Sequence, residues 1–160
     1  MCYQNFNNQD GGFFLEASSL GLSSFIATLM GIGGWMYYEH SKGNLTDNTM
    51  IQKMISYRLN IYNLLDCDYN ADIGADNKLS IDKWINEHKD QNYLLKIGQL
   101  KEPMRTLFLN AYEVIKDEKK RDKYNKLFLK YGYRCNVPNR KVNIDDVLRW
   151  KSRDIQKNIV

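Results

Sequence analysis

The chain is predicted to be all-α: one N-terminal transmembrane helix, then a small helical domain and a short helical tail. Three observations predict this. A run without a single charged residue extends from Ala17 to Tyr38. Downstream of it, apolar residues recur every three to four positions, the period of a helix with one buried face. No stretch alternates apolar and polar residues over the length of a strand.

The run ASSLGLSSFIATLMGIGGWMYY matches the roughly 20 residues that a helix needs to cross a hydrocarbon core about 30 Å thick. Trp35, Tyr37 and Tyr38 close it, where amphipathic rings favour the membrane–water boundary. The preceding polar segment, 1–16, has no Lys or Arg, which argues against a cleaved signal peptide and for a retained anchor. Every basic residue follows the run, so the positive-inside bias places the C-terminal part in the cytosol or in a mitochondrial matrix. Within the run, Ser19, Ser23, Ala27 and Gly31 recur every four residues. On a helix they form one stripe of small side chains, against which a second transmembrane helix can pack closely.

A polar linker, 39–50, containing Ser41–Asn44, leads to the helical domain, 51–133. Ile51, Met54, Ile55, Leu59 and Tyr62 form an apolar stripe, with Thr46, Asp47 or Asn48 as N-cap. Asp66–Asn77 reads as a loop; its acidic spacing lacks the closing Glu of a calcium loop. Ser80 is placed to cap a short helix with Ile81, Trp84, Ile85 and His88 at i, i+3, i+4 and i+7. Pro103 suits the first turn of a further helix bearing Phe108, Ala111, Tyr112 and Ile115. Asp117 caps a last long helix with Tyr124, Leu127, Phe128 and Tyr131 on one face, and Gly132 fits just past its end. The expected core is Tyr62, Leu65, Trp84, Ile85, Phe108, Tyr112, Ile115, Tyr124 and Phe128. The tail, 134–160, is expected to serve contact rather than folding. In it Asn143 caps a short helix, and Arg149, Trp150, Lys151 and Arg153 offer a basic, aromatic surface to an acidic neighbour or to lipid head groups.

Composition removes several function classes. The 23 basic residues are interleaved with 19 acidic ones, for a net charge of +4, so no phosphate-binding stripe points to nucleic acid. Cys2, Cys67 and Cys135 share no metal-binding or disulfide spacing. His40 and His88 are the only histidines, and neither a GxSxG elbow nor a phosphate-binding glycine loop is present. No enzymatic activity, cofactor or metal is expected.

The stretch AYEVIKDEKKRDKYNKLFLKYG, Ala111 to Gly132, resembles the third and fourth helices of the J-domain family. The likeness runs through Ala111, Tyr112, Glu113, Val114, Asp117, Lys120, Arg121, Tyr124, Tyr131 and Gly132. Upstream, Tyr62-Asn63-Leu64-Leu65 is similar to the family's opening Y-x-x-L helix. In that family a His-Pro-Asp loop follows at a spacing that here lands on His88. The tripeptide His88-Lys89-Asp90 therefore stands in the loop's place, with Lys89 for the proline.

The resemblance implies a helical J-like domain, whose loop in the family engages an Hsp70 and stimulates its ATPase. This chain departs from that pattern. Lys89 cannot fix φ as proline does, and the preceding helix carries as many acids as bases instead of a positive face. The reading is a degenerate J-like accessory subunit of a larger membrane complex, similar to J-like proteins of the mitochondrial inner membrane. Its expected partners are other subunits, a transmembrane helix among them, and the lipid bilayer. The C-terminal domain would face the matrix, or the cytosol if the membrane is that of the endoplasmic reticulum. The alternative is an Hsp70 co-chaperone or regulator of the mitochondrial protein-import motor.

Overall fold

Twenty-four residues, Ser18–Ser41, form the first helix, α1, in the computed structural model of the chain. The structure describes residues 18–67, 78–88, 91–131, 136–138 and 140–149, and of 18–25, 78–80 and 91 the backbone alone. Seven further helices follow among them: α2 (Asp47–Ser56), α3 (Ile61–Leu64), α4 (Lys78–His88), α5 (Gln91–Gln99), α6 (Met104–Lys116), α7 (Glu118–Tyr131) and α8 (Ile144–Arg149). No strand is present among the described residues, and the architecture is all-α.

Helix α1 belongs to the domain. Ile26, Leu29, Ile32 and Met36, spaced three to four apart, are at most 2% exposed and lie in the hydrophobic core. Helix α1 packs on α6 and runs parallel to it: Gly33 lies over Pro103 and Leu107, and Met36 lies beside Asn110. The approach is close because Gly33 has no side chain. A Cβ there would lie 2.6 Å from the Pro103 carbonyl oxygen, a backbone atom that cannot move aside alone.

Among the described residues no helix is long and apolar enough to cross a membrane. Part of the expected span, Ala17 and the side chains of residues 18–25, lies outside the described residues. The expected linker is also shorter than its sequence suggests. Helix α1 continues through Ser41, and Gly43 (φ +72°) ends it, with the Gly43 and Asn44 N–H groups donating to the His40 and Glu39 carbonyls. That geometry is the glycine-dependent stop of a helix C-terminus.

Thr46 then starts α2 through a reciprocal cap with Thr49, which satisfies backbone donors that a helix N-terminus leaves open. The apolar stripe from Ile51 to Tyr62 is divided between two helices. Helix α2 stops at Ser56, Arg58 takes φ +55°, and Asn60 caps a new turn by accepting from Tyr62 and Asn63 N–H. One element, α5, was not marked out by sequence; its Tyr93 and Ile97, with Leu100 just beyond, occupy i, i+4 and i+7 on its buried side. Helix α4 starts at Lys78, two residues before Ser80.

The expected core residues are buried except Ile85, which is half-buried. The described part of the tail, 136–138 and 140–149, is part of the fold, against expectation. Val137 pairs with the α2–α3 junction through Val137 N–H to the Arg58 carbonyl and Asn60 N–H to the Val137 carbonyl, both 2.9 Å. Val142 N–H donates to the Asn63 carbonyl at 2.7 Å. Asn143 caps α8 as expected, its side chain accepting from Asp145 N–H, and Ile144 and Val147 are buried. The reason is i, i+3 spacing on a short helix that alone cannot persist but finds α5 to cover. Lys96 on α5 meets Asp145 at 2.9 Å.

Two consequences are measurable. Burying the four α1 side chains contributes about 1.5–3 kcal/mol each, a sum comparable with the whole stability of a small domain. A chain beginning at Lys42 should therefore lose cooperative melting; retention of a sharp thermal transition by circular dichroism would contradict the placement of α1. Gly33→Ala should destabilise by about 1–3 kcal/mol through overpacking against Pro103. Gly31→Ala, which meets no atom within 4 Å, should melt like the parent or slightly higher.

Candidate functional site

His88 is the last residue of α4, and Lys89 and Asp90 lie outside the described residues. Four residues after Trp84, one helical turn on, the His88 ring stacks on the indole with centroids 4.2 Å apart and planes 15° from parallel. Its Nδ1 lies 2.8 Å from the Trp84 carbonyl oxygen, which fits the tautomer with the proton on Nδ1. Tyr93 of α5 meets the imidazole edge-on at 5.0 Å, and Tyr112 of α6 donates its hydroxyl to the His88 carbonyl in a long bond of 3.4 Å. Tyr93 also meets Trp84 edge-on at 5.8 Å. Four rings from three helices thus close around the start of the tripeptide. Edge-to-face and offset contacts of this kind each contribute about 0.5–1.5 kcal/mol beyond area burial. The Trp84 indole N–H is buried without an acceptor, so packing, not hydrogen bonding, holds this ring.

The other residues singled out in the 111–132 stretch hold the frame behind that cluster. Asp117 accepts from Lys120 N–H at 3.0 Å and starts α7; this bond holds its carboxyl below the usual range. Arg121, buried, extends its guanidinium to the Ile115 carbonyl at 2.6 Å, where a helix C-terminus leaves carbonyls open. The Tyr124 hydroxyl donates to the Leu59 carbonyl and accepts from Ile61 N–H, joining α7 to the α2–α3 junction. Tyr62 donates to the Asn125 side chain at 2.5 Å. Every one of these contacts is structural.

The small-residue ladder divides. The side chains of Ser19 and Ser23 lie outside the described residues, while Ala27 and Gly31 are exposed on the face of α1 turned away from the domain. The glycine that packs is Gly33, which the four-residue period does not include; a small residue flanked by large apolar ones at i−4, i−1 and i+3 was its available signal. In the tail, Arg149 is exposed and pairs with Asp146 at 3.6 Å; Trp150, Lys151 and Arg153 lie outside the described residues. Among the described residues no group of three or more His, Cys, Asp or Glu side chains could hold a metal ion.

Cys67 is 1% exposed, and burial pushes its thiol up to about 12, which keeps the reactive thiolate scarce at neutral pH. Burial likewise raises the Tyr93 and Tyr124 hydroxyls above their ordinary value.

No family model, curated protein or solved structure matches this chain.

A pH dependence follows from these three acids, two buried and Tyr93 half-buried. Each holds its proton more tightly in the folded chain than in the unfolded one, so its contribution is complete below the unfolded value. It is lost as pH rises through the folded value, starting near the ordinary thiol value of 9.0. Melting temperature should fall as pH is raised from about 7 to about 10.5, and less steeply in Cys67→Ala. A flat profile would contradict the burial of these groups.

Proposed function

We propose that the chain is a non-catalytic, J-like accessory subunit of a larger membrane-associated complex, with its tripeptide His88-Lys89-Asp90 a remnant of the family's partner-binding loop. The observation that carries this reading is the internal use of His88. Its ring is stacked on Trp84, tied to a backbone carbonyl and flanked by Tyr93. A histidine held in its own domain is poorly placed to engage a second protein. Lys89 in place of proline adds to this, because proline pre-sets the backbone of such a turn. The structural duties of Asp117, Arg121 and Tyr124 agree with a chain that keeps a helical frame without stimulating a partner.

A membrane location is supported by the charge-free run and by Trp35, Tyr37 and Tyr38 at its end. Because the inner face of α1 from Ile26 to Met36 is covered by the domain, bilayer contact falls to the chain before Ile26 and to the outer face of α1. The mitochondrial inner membrane, with the C-terminal part in the matrix, is the preferred location. The endoplasmic reticulum membrane, with that part in the cytosol, is the alternative.

The test is single-turnover ATP hydrolysis by an Hsp70 of the same compartment, with the parent chain, His88→Gln and Lys89→Pro compared. No stimulation by the parent and no effect of His88→Gln are expected. Stimulation that disappears in His88→Gln would instead establish the co-chaperone or import-motor role.

A further inference from the structure

We infer that α1 lies along a membrane surface instead of crossing it, and that Lys42 and Lys53 on its rim take anionic lipid head groups. This rests on the membrane reading above and specifies how that membrane is met.

The two faces of α1 have different surroundings. Its inner face, Ile26, Leu29, Ile32 and Met36, is buried in the domain, so this part of the helix cannot be ringed by lipid as a spanning helix is. The outer face, Ala27, Gly31, Gly34 and Tyr38, is uncharged over twelve residues. Three of these four residues are exposed, with Tyr38 at 52%. A helix with one face on its own domain and an uncharged face outward suits the plane of the lipid–water boundary.

The rim supplies the second part. Lys53 of α2 holds its ammonium over both the Trp35 ring, at 4.9 Å, and the Tyr57 ring, at 5.2 Å. Trp35 and Tyr38 are one turn apart on α1, and Lys42 sits 4.1 Å from the centre of the Tyr38 ring. The sequence Tyr57–Lys53–Trp35–Tyr38–Lys42 therefore forms one aromatic and cationic strip across the ends of α1 and α2. Tyr57 is 42% exposed. Neither lysine forms an ion pair with a described acid. The nearby Asp47 is taken by Lys120 at 3.0 Å, and Glu39 is half-buried. Two cations without an ion pair among the described acids, set among Trp and Tyr rings, match the head-group layer, where such rings concentrate and where phosphates supply negative charge.

The experiment uses the full chain with vesicles of phosphatidylcholine alone or mixed with phosphatidylserine. Acylation rates of individual lysines are read by mass spectrometry, alongside co-sedimentation. Lys42 and Lys53 should react about fivefold more slowly on the mixed vesicles than in their absence, with Lys83 and Lys126 unchanged, and high salt should restore the rate. Lys42→Gln/Lys53→Gln should bind the mixed vesicles about 25-fold more weakly, with circular dichroism melting recorded to verify its fold. Equal binding to both vesicle types, with Lys42 and Lys53 unprotected, would overturn this inference and leave membrane association to the chain before Ile26. Failure to bind either type would overturn the membrane reading as well.

Discussion

Everything in this fold depends on how closely α1 approaches α6. Helix α6 is the central element: α1, α3, α4, α5 and α7 all pack on it. Its buried face, Met104, Leu107, Phe108, Ala111, Tyr112, Val114 and Ile115, is too wide for one neighbour. The pairing with α1 is set by Gly33, whose missing Cβ admits the Pro103 carbonyl and the Leu107 side chain. A larger residue would lift α1 away, and its four apolar side chains would lose partners along the helix, since close-packed interiors forfeit dispersion energy quickly with distance. One glycine therefore controls the burial of a helix that, by composition alone, belongs in lipid.

The junction between α2 and α3 is secured by polar groups. Helix α2 ends early, and Arg58 and Asn60 redirect the chain. Their junction exposes backbone groups that a buried site cannot leave unpaired. Tyr124 takes the Leu59 carbonyl and Ile61 N–H, and Val137 takes the Arg58 carbonyl and Asn60 N–H. Tail and α7 thus converge on the same few residues, which is why residues 136–138 and 140–149 belong to the fold and not to an appended arm. Asn63 reinforces this, donating its side chain to the Pro138 carbonyl at 2.9 Å while its own carbonyl accepts from Val142.

Those differences mark what a one-dimensional pattern can carry. Helical periodicity located α4, α6 and α7, and it picked out Phe108, Tyr112, Tyr124 and Phe128 as core, because a stripe needs only its own helix to be seen. Capping by Thr46, Asp117 and Asn143 was equally legible, since each cap is local. The packing of α1 was not. A helix rich in Ile, Leu, Met and Gly looks the same whether lipid or α6 covers it, and the deciding contact, Gly33 on Pro103, joins residues far apart in the chain. Helix α5 was passed over because its stripe is interrupted by the exposed Leu94 and Leu95, which blur the period. At the tripeptide, sequence placed His88 on the Trp84 side of α4 but could not show Tyr93 and Tyr112 closing around it.

The two roles open to His88 make incompatible physical demands. A residue that engages a partner must leave its polar atoms and ring accessible, and a neighbouring turn must hold it rigidly outward. Here the ring instead adds to a stack in which Trp84 has no hydrogen-bond acceptor for its indole, so the cover given by His88 is part of what keeps that ring in place. Pulling His88 out toward a partner would uncover the indole face and break the Nδ1 contact with the Trp84 carbonyl. A proline at position 89 could offset such a loss by fixing the turn in advance, lowering the conformational entropy that presentation removes. Lysine cannot, so the energetic balance at the end of α4 favours the inward state, in which His88 serves the packing of its own domain.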